Sequence, residues 1–441
     1  MKAISYFVLG GLIALGALGI LGAGAAAAGE SFYGLTIEEV NVRGLKKTDL
    51  DTLRKNMPLK ANEVLTEVNT SKNLQFLKNL EIFSQIEQSY LLGSSPEKVI
   101  VSIDVVERWT LIPIFNFSWG GGARFYEVGL SEGNFVGRLD QLGGSIENLQ
   151  GVYSGQAWYL TKFLHPDWSL FYVDVGARSQ VRQVYGKDLS KPGGFLDQEQ
   201  RVRLLGNWDL SQDWRLRVGV QVKREWMSER LLSRSQVVQN QSQFGLAMSP
   251  STTYLTPELG VIYGEINSHY YLQEGFETKW LMDPSLPLSG QLPGYIELRG
   301  DTRFFTILGE TANFAARFRN AWSTSKILHQ QYFLGGLDGI RGFYQNQIHG
   351  RGTFLLNTEL QVPLWHHSLF VLEQSVFIDS AMAADRLERL LLFQNKIYVG
   401  TGAGFRLIFP RVQGFLLRVD YGFPVTTQGA PGLVFGVLQF F

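Results

Sequence analysis

A residue period of two runs through most of this chain, and it leaves few folds open. From Trp109 to Phe441 apolar residues alternate with polar or small ones. Trp214, Leu216, Val218, Val220 and Val222 share one face of a strand, and Arg215, Arg217, Gly219, Gln221 and Lys223 share the other. Val202, Leu204 and Trp208 stand against Arg201, Arg203 and Asn207 in the same way, and Phe171, Val173 and Val175 against Tyr172, Asp174 and Arg178. Two architectures satisfy such alternation. In a soluble sandwich the apolar faces would meet, and both charged faces would be outer surface. In a transmembrane barrel the apolar faces meet lipid and the polar faces line a lumen.

Strand length, strand number and aromatic residues at strand ends favour the barrel. The runs are about ten residues long, enough to cross a bilayer when tilted. Their count is roughly sixteen, even as in bacterial barrels, from 110–119 at the start to 432–441 at the end. Short links at 165–167 and 210–213 fit periplasmic turns, and long ones at 186–198 and 227–251 fit extracellular loops. Composition agrees: 48 glycines and 13% aromatic residues suit many turns and interfacial rings. The 40 basic and 40 acidic residues balance, so no bulk attraction to nucleic acid is expected. With no cysteine there is neither a disulfide framework nor a thiolate metal site.

Residues 1–28 carry Lys2, an apolar stretch from Tyr6 to Leu21 and a run of small residues to Ala28. This reads as a secretory signal peptide, with a retained membrane helix as the alternative. Residues 35–108 then read as strand, helix, helix, strand, strand. Thr36 to Arg43 alternates and stops at Gly44. Thr48 with Asp51 predicts a capped helix start, and Pro58 ends that helix. Leu74, Leu77 and Leu80 mark a second helix near 70–79. In the last strand Val99, Val101, Ile103 and Val105 share a face. Val40 to Thr48, with Leu77 and Phe83, resembles a POTRA domain, although any small α+β domain shares this element order.

Between the strands that end near Ser323 and begin near Thr353 lies an unusually long connection. It contains Gly335, Gly336, Gly339, Gly342 and Gly350, and it is too rich in Phe333, Phe343, Tyr344 and Ile348 for a solvated loop. Inside a closed barrel the simplest path is into the lumen, where Arg341 would need a carboxylate.

Several stretches together resemble the BamA/TamA superfamily of outer-membrane assembly and secretion proteins. They are Gly335 to Phe343, Asn134 to Gly137, Asn357 to Leu360, Phe377 to Ala381 and Gly400 to Arg406. Ala381 stands where the family commonly has glycine. The resemblance implies a 16-stranded antiparallel outer-membrane β-barrel over 109–441, preceded by one periplasmic POTRA-like βααββ domain. It also implies that the loop 324–351 folds inward and that Arg341, Gly342 and Phe343 are held there, Arg341 by wall carboxylates. Alternation points Glu359 and Asp379 into the lumen.

The resemblance further makes Gly120, Gly121, Gly122, Gly436 and Phe441 the seam between first and last strands, either ordinarily closed or able to open sideways. Phe441 at the end resembles an outer-membrane delivery signal. Gly400, Gly402 and Gly404 fall at every second residue of a strand, so barrel packing explains them better than nucleotide binding. The histidines, His366 and His367 included, form no metal-ligand pattern, and we assign no catalytic residue, metal or cofactor.

The function expected is an insertase or translocase that acts without nucleotide hydrolysis. Its partners would be an unfolded exported or outer-membrane polypeptide and outer-membrane lipid, with an accessory periplasmic or lipoprotein partner left open. A single POTRA-like domain, where relatives carry two or more, points to one or few clients. The alternative is a passive pore or lipid-handling barrel, in which Arg201, Arg203, Arg215, Arg217, Arg299 and Arg303 would line the wall beside Glu297 and Asp301.

Overall fold

Val99, Val101, Ile103 and Val105 lie on one face of a central strand and are all buried, so a sheet forms around them. The computed structural model describes residues 32–120, 123–162, 168–186, 189–190, 192–269, 271–309, 311–336, 339–367, 369–410 and 416–437. The expected signal peptide and the link 165–167 lie outside the described residues, as do Gly121, Gly122 and Phe441.

The N-terminal domain runs β1 (Thr36–Arg43), α1 (Leu50–Asn56), α2 (Glu67–Asn79), β2 (Phe83–Leu92) and β3 (Lys98–Glu107). Its sheet order is β1-β3-β2, with β1 parallel and β2 antiparallel to β3. Ile37 and Val40 of β1 pack with the β3 valines, Leu53 of α1 and Leu77 of α2 in one core. Each such side chain contributes about 1.5–3 kcal/mol on burial.

Two helix starts differ from expectation. The carboxylate of Asp49, rather than Thr48, caps α1 by accepting the Thr52 amide at 2.7 Å. These Thr52 hydrogen bonds also hold the Asp49 carboxyl below its usual range. Thr48 is taken by tertiary contacts. Its amide donates to Glu107 Oε1 at 2.9 Å and its hydroxyl accepts from Asn134 at 2.9 Å. Burial pushes the Glu107 carboxyl up, but the bonds from Thr48 and Lys47 outweigh it and the net shift is downward. The second helix begins at Glu67, because Thr66 and Asn69 form a capping box.

Sixteen strands then close an antiparallel barrel. They are β4 (Leu111–Gly120), β5 (Ala123–Phe135), β6 (Asp140–Leu149), β7 (Val152–Thr161), β8 (Trp168–Val184), β9 (Gly193–Asp209), β10 (Trp214–Ser228) and, after the short helix α3 (Arg234–Gln239), β11 (Thr252–His269), β12 (Leu272–Ser289), β13 (Tyr295–Leu308) and β14 (Ala312–Ser323). A small hairpin, β15 (Tyr332–Leu334) with β16 (Ile348–Gly350), interrupts the wall. β17 (Gly352–His366), β18 (Val371–Ala384), the helix α4 (Leu387–Leu391), β19 (Tyr398–Ile408), β20 (Leu416–Pro424) and β21 (Gly432–Val437) complete it.

Val202, Leu204, Val220 and Val222 are exposed on the outer face, as a lipid-facing belt requires. No helix among the described residues is long and apolar enough to cross a membrane. The described residues form a sixteen-stranded barrel preceded by a small βααββ domain.

Some strands exceed the expected length. β8 and β9 reach 17 residues and β11 and β12 reach 18. The expected loop at 186–198 is shorter for that reason. The extended β8–β9 end is supported by the connection after β10, whose Phe244, Leu246 and Met248 pack on Val184, Phe195 and Met227. Asn240 secures it by exchanging two 2.8 Å hydrogen bonds with the backbone of Gly194.

The N-terminal domain touches the barrel at two periplasmic turns. At the β5–β6 turn, Lys47 pairs with Glu132 at 2.7 Å and the Asp49 amide donates to Gly137 O at 2.9 Å. Gly137 has φ +79°, and a Cβ there would lie 2.2 Å from Lys47 O. At the β11–β12 turn, Asn79 donates to Glu265 at 2.9 Å and Ser268 to Glu81 at 3.0 Å. The stretch Asn134 to Gly137 is therefore a docking turn.

Candidate functional site

The connection from β14 to β17 enters the barrel, and its tip carries a dense set of buried charges. Arg341 is 1% exposed. Its Nε and Nη2 donate to the two oxygens of Asp379 at 2.8 and 2.9 Å, and its backbone amide donates to Oδ2 at 3.0 Å. Its Nη1 reaches Glu359 and Asp420, each at 3.2 Å. The guanidinium also lies 3.3 Å from the ring centroid of Phe377. A fork bound by carboxylates on both sides and stacked on a ring has its orientation specified as well as its charge.

Alternation explains which residues meet it. Cross-strand partners Asn357 and Asp379 face inward, as do Glu359 and Phe377. On the next strand, Gly400 pairs with Asp379, Gly402 with Phe377 and Gly404 with Ser375. The glycine row is thus the floor of the site. A Cβ on Gly400 would fall 2.1 Å from Arg341 O, one on Gly402 2.5 Å from the Phe377 ring, and one on Gly404 2.0 Å from Asp420. Gly342 completes the close approach. Its φ is +93°, and a Cβ would sit 2.5 Å from the backbone of Phe423.

Phe343 is fully buried with Ile340, Ile348, Leu355 and Ala381. Its ring meets Tyr398 edge-on at 5.7 Å. The methyl of Ala381 therefore belongs to the apolar seat beside the charges.

Asp420 and Phe377 were not named from sequence as partners of Arg341. Asp420, fully buried on β20, accepts from Arg341 and also from Arg406 Nη1 at 2.6 Å. Arg406 in turn donates to Glu359 at 2.6 Å. A carboxylate facing the glycine row from the adjoining strand was the available signal. Asn357 adds a bridge, donating to Asp379 at 2.8 Å and to the loop carbonyl of Gly339 at 2.9 Å.

The base of the same loop is held on the far wall. Gln330 donates to Glu225 at 3.3 Å and to the Tyr254 hydroxyl at 3.1 Å, and Tyr332 donates to Glu297 at 3.1 Å. The Arg182 guanidinium lies 4.7 Å from the Phe333 ring centroid. The loop therefore crosses the lumen from one wall to the other. The arginines considered for anion passage are mostly engaged. Arg201 and Arg203 bind Asp174 at 2.8 and 2.6 Å, Arg299 binds Asp283 at 2.9 Å, and Arg215 and Arg303 share Glu277 at 3.3 and 2.5 Å. Arg217 donates to Asn207 at 2.9 Å.

At the seam, Leu433, Val434 and Phe435 pair with Trp119, Ser118 and Phe117. Gly120 ends β4 opposite Ala123, and Gly436 pairs with Arg418 on β20. Among the described residues no group of three or more histidines and carboxylates is placed to hold a metal ion.

Comparison with known proteins agrees with this geometry. A family model described as the Omp85 superfamily domain matches residues 134–440, and one described as POTRA, surface antigen variable number repeat, matches residues 35–108. Among solved structures the chain is similar to BamA from Haemophilus ducreyi lacking POTRA domains 1-3, with a TM-score of 0.56 and 15% identity, covering 92% of this chain and 85% of that one. It is also similar to CdiB from Acinetobacter baumannii, with a TM-score of 0.60, 11% identity and coverage of 92% and 74%. CdiB from Escherichia coli gives a TM-score of 0.63, 11% identity and coverage of 92% and 76%. No curated protein matches the chain. At these identities the structural likeness is one of fold.

Proposed function

This chain belongs to the Omp85 superfamily, and on that premise we propose that it is an outer-membrane insertase or translocase for one or a few polypeptide clients. The observation that carries the reading is the edge of β2. Only β3 pairs with β2 among the described residues, so the outer edge of Phe83–Leu92 presents free amide and carbonyl groups for an added client strand. The other edge is less accessible. The start of β1 is covered by residues 62–65, whose amides and carbonyls pair with Leu35 and Ile37. β2 is thus the capturing strand in this reading, since the start of β1 is already paired.

The domain is tied beneath the barrel mouth at two turns, so a captured chain lies next to the lumen and the seam. Folding of the client releases the free energy for transfer, and no nucleotide is consumed. In this scheme Arg341, Gly342, Phe343, Glu359 and Asp379 hold the loop as a crossbar. The engaged arginines and the crossed lumen disfavour a passive anion pore.

Photocrosslinking in the native envelope tests the reading, with probes at Gln85, Glu87 and Ser89 on β2 and at Phe117 and Phe435 on the seam strands. Adducts with one exported polypeptide at both places are expected. Well-expressed probes that capture no polypeptide would overturn it in favour of a pore or lipid-handling barrel.

A further inference from the structure

The outer wall carries an apolar foot that the protein-handling role does not use. After β18 the chain forms α4 and then returns to β19. Leu390 of α4 is buried against Trp322 of β14, Phe354 of β17, and Met382 and Ala384 of β18. These positions have the same strand parity as Leu356, Val376 and Ile378, which are exposed on the lipid-facing side. α4 is therefore mounted on the outside of the barrel at the extracellular end, not over the lumen.

Around that anchor, Leu387, Leu391, Leu392, Phe393 and Ile397 are all exposed, with Leu392 at 64%. The segment is a built structure, not a loose loop. Asn395 donates to Ala383 O at 2.6 Å, and the Gln394 amide donates to Arg389 O at 2.9 Å. Phe393 adopts φ +52°, a region that bulky residues avoid, and its ring lies 5.7 Å from Phe354 on the outer wall. Arg386 and Arg389 flank the leucines, are exposed, and form no ion pair among the described residues.

We propose that α4 and residues 391–397 form a lipid-binding foot, with the leucines and Phe393 in the acyl region of the outer leaflet and Arg386 and Arg389 at its phosphates. Two observations select lipid as the occupant. The patch adjoins the lipid-facing belt where Phe393 packs on Phe354, and two exposed cations, Arg386 and Arg389, stand at its edge alongside the acids Asp385 and Glu388. An apolar patch of this kind on a water-facing surface would be an aggregation liability. On a membrane rim it is an anchor beside the wall that holds Arg341.

The test uses the full chain folded into phosphatidylcholine vesicles. Because the protein has no cysteine, Leu392→Cys gives a single site for an environment-sensitive fluorophore. Vesicles with brominated acyl chains are expected to quench this label roughly twofold or more. A label at Val238→Cys, equally apolar and exposed but on the extracellular cap, is expected to stay unquenched. A label at 392 that behaves like the one at 238 overturns the proposal. So does shielding without quenching accompanied by crosslinks between two copies, which would make this a self-association surface. Leu391→Cys repeats the measurement should the first variant not fold. Adding phosphatidylglycerol is expected to increase the quenching, and Arg386→Gln with Arg389→Gln to abolish that increase. An increase unaffected by the double variant would remove phosphate binding from the proposal.

Discussion

The two walls of the lumen use the same kinds of residue for different ends. On β17–β20, Glu359, Asp379 and Asp420 are at most 1% exposed and reach across to a loop arginine. On the wall running from β8 to β14, charges pair mainly with neighbours on adjacent strands, and several stay partly open, as in Arg317 with Asp301 at 2.7 Å. The first set joins two separate pieces of chain in a dry setting. The second mainly ties strands already joined by backbone hydrogen bonds, and there arginines such as Arg201, Arg299 and Arg317 keep contact with solvent even where their carboxylate partners are buried. A charge pair matters most when burial removes water as the alternative partner and nothing else holds the two segments together.

The strongest test of this contrast removes Arg341. Arg341→Ala leaves three buried carboxylates short of a partner and is expected to destabilise the barrel by about 3–5 kcal/mol. The check is the urea midpoint of tryptophan fluorescence in vesicles. Loss of the loop from the lumen should also make residues 333–351 cleavable by added protease. An unchanged midpoint would erase the distinction between the walls.

A steric variant separates packing from charge. Gly400→Val keeps every charge but drives a side chain into the Arg341 carbonyl, with an expected loss of about 1–3 kcal/mol and similar loop cleavage. If only Arg341→Ala released the loop, the glycine floor would be incidental.

Phe377→Leu removes the ring beneath the guanidinium while preserving an apolar side chain. A loss of about 1–2 kcal/mol is expected in the same unfolding measurement, with the loop still protected. At the small end, Arg317→Gln on the opposite wall should shift stability by about 1 kcal/mol or less. A larger effect would mean that the open wall is as tightly coupled as the closed one.

Much of this was legible before any coordinates. Alternation sorted Glu359 and Asp379 to the inside and Val220 and Val222 to the outside, because side chains on a strand leave only two directions. The glycine-rich, aromatic connection around Arg341 could not be solvated, so its entry into the barrel was also readable. Asp420 and Phe377 were harder to assign. Their inward direction follows from alternation, but their place against Arg341 depends on the stagger of four strands and the rotation of a loop. Thr48 fits a local capping rule and is claimed instead by Glu107 and Asn134 from distant parts of the chain. The extra length of β8 and β9 follows from the Phe244 and Asn240 contacts, which no local pattern encodes.

What the sequence by itself determined is therefore the division of the chain into a small α+β domain and a long two-faced sheet, since hydrophobic period and strand geometry are local properties. What only the tertiary structure decided is which inward charges meet, how the loop spans from Glu225 and Glu297 to Asp379, and which periplasmic turns receive the N-terminal domain. Those depend on inter-strand register and closure, where residues far apart in sequence compete for the same space and only the complete fold selects among them.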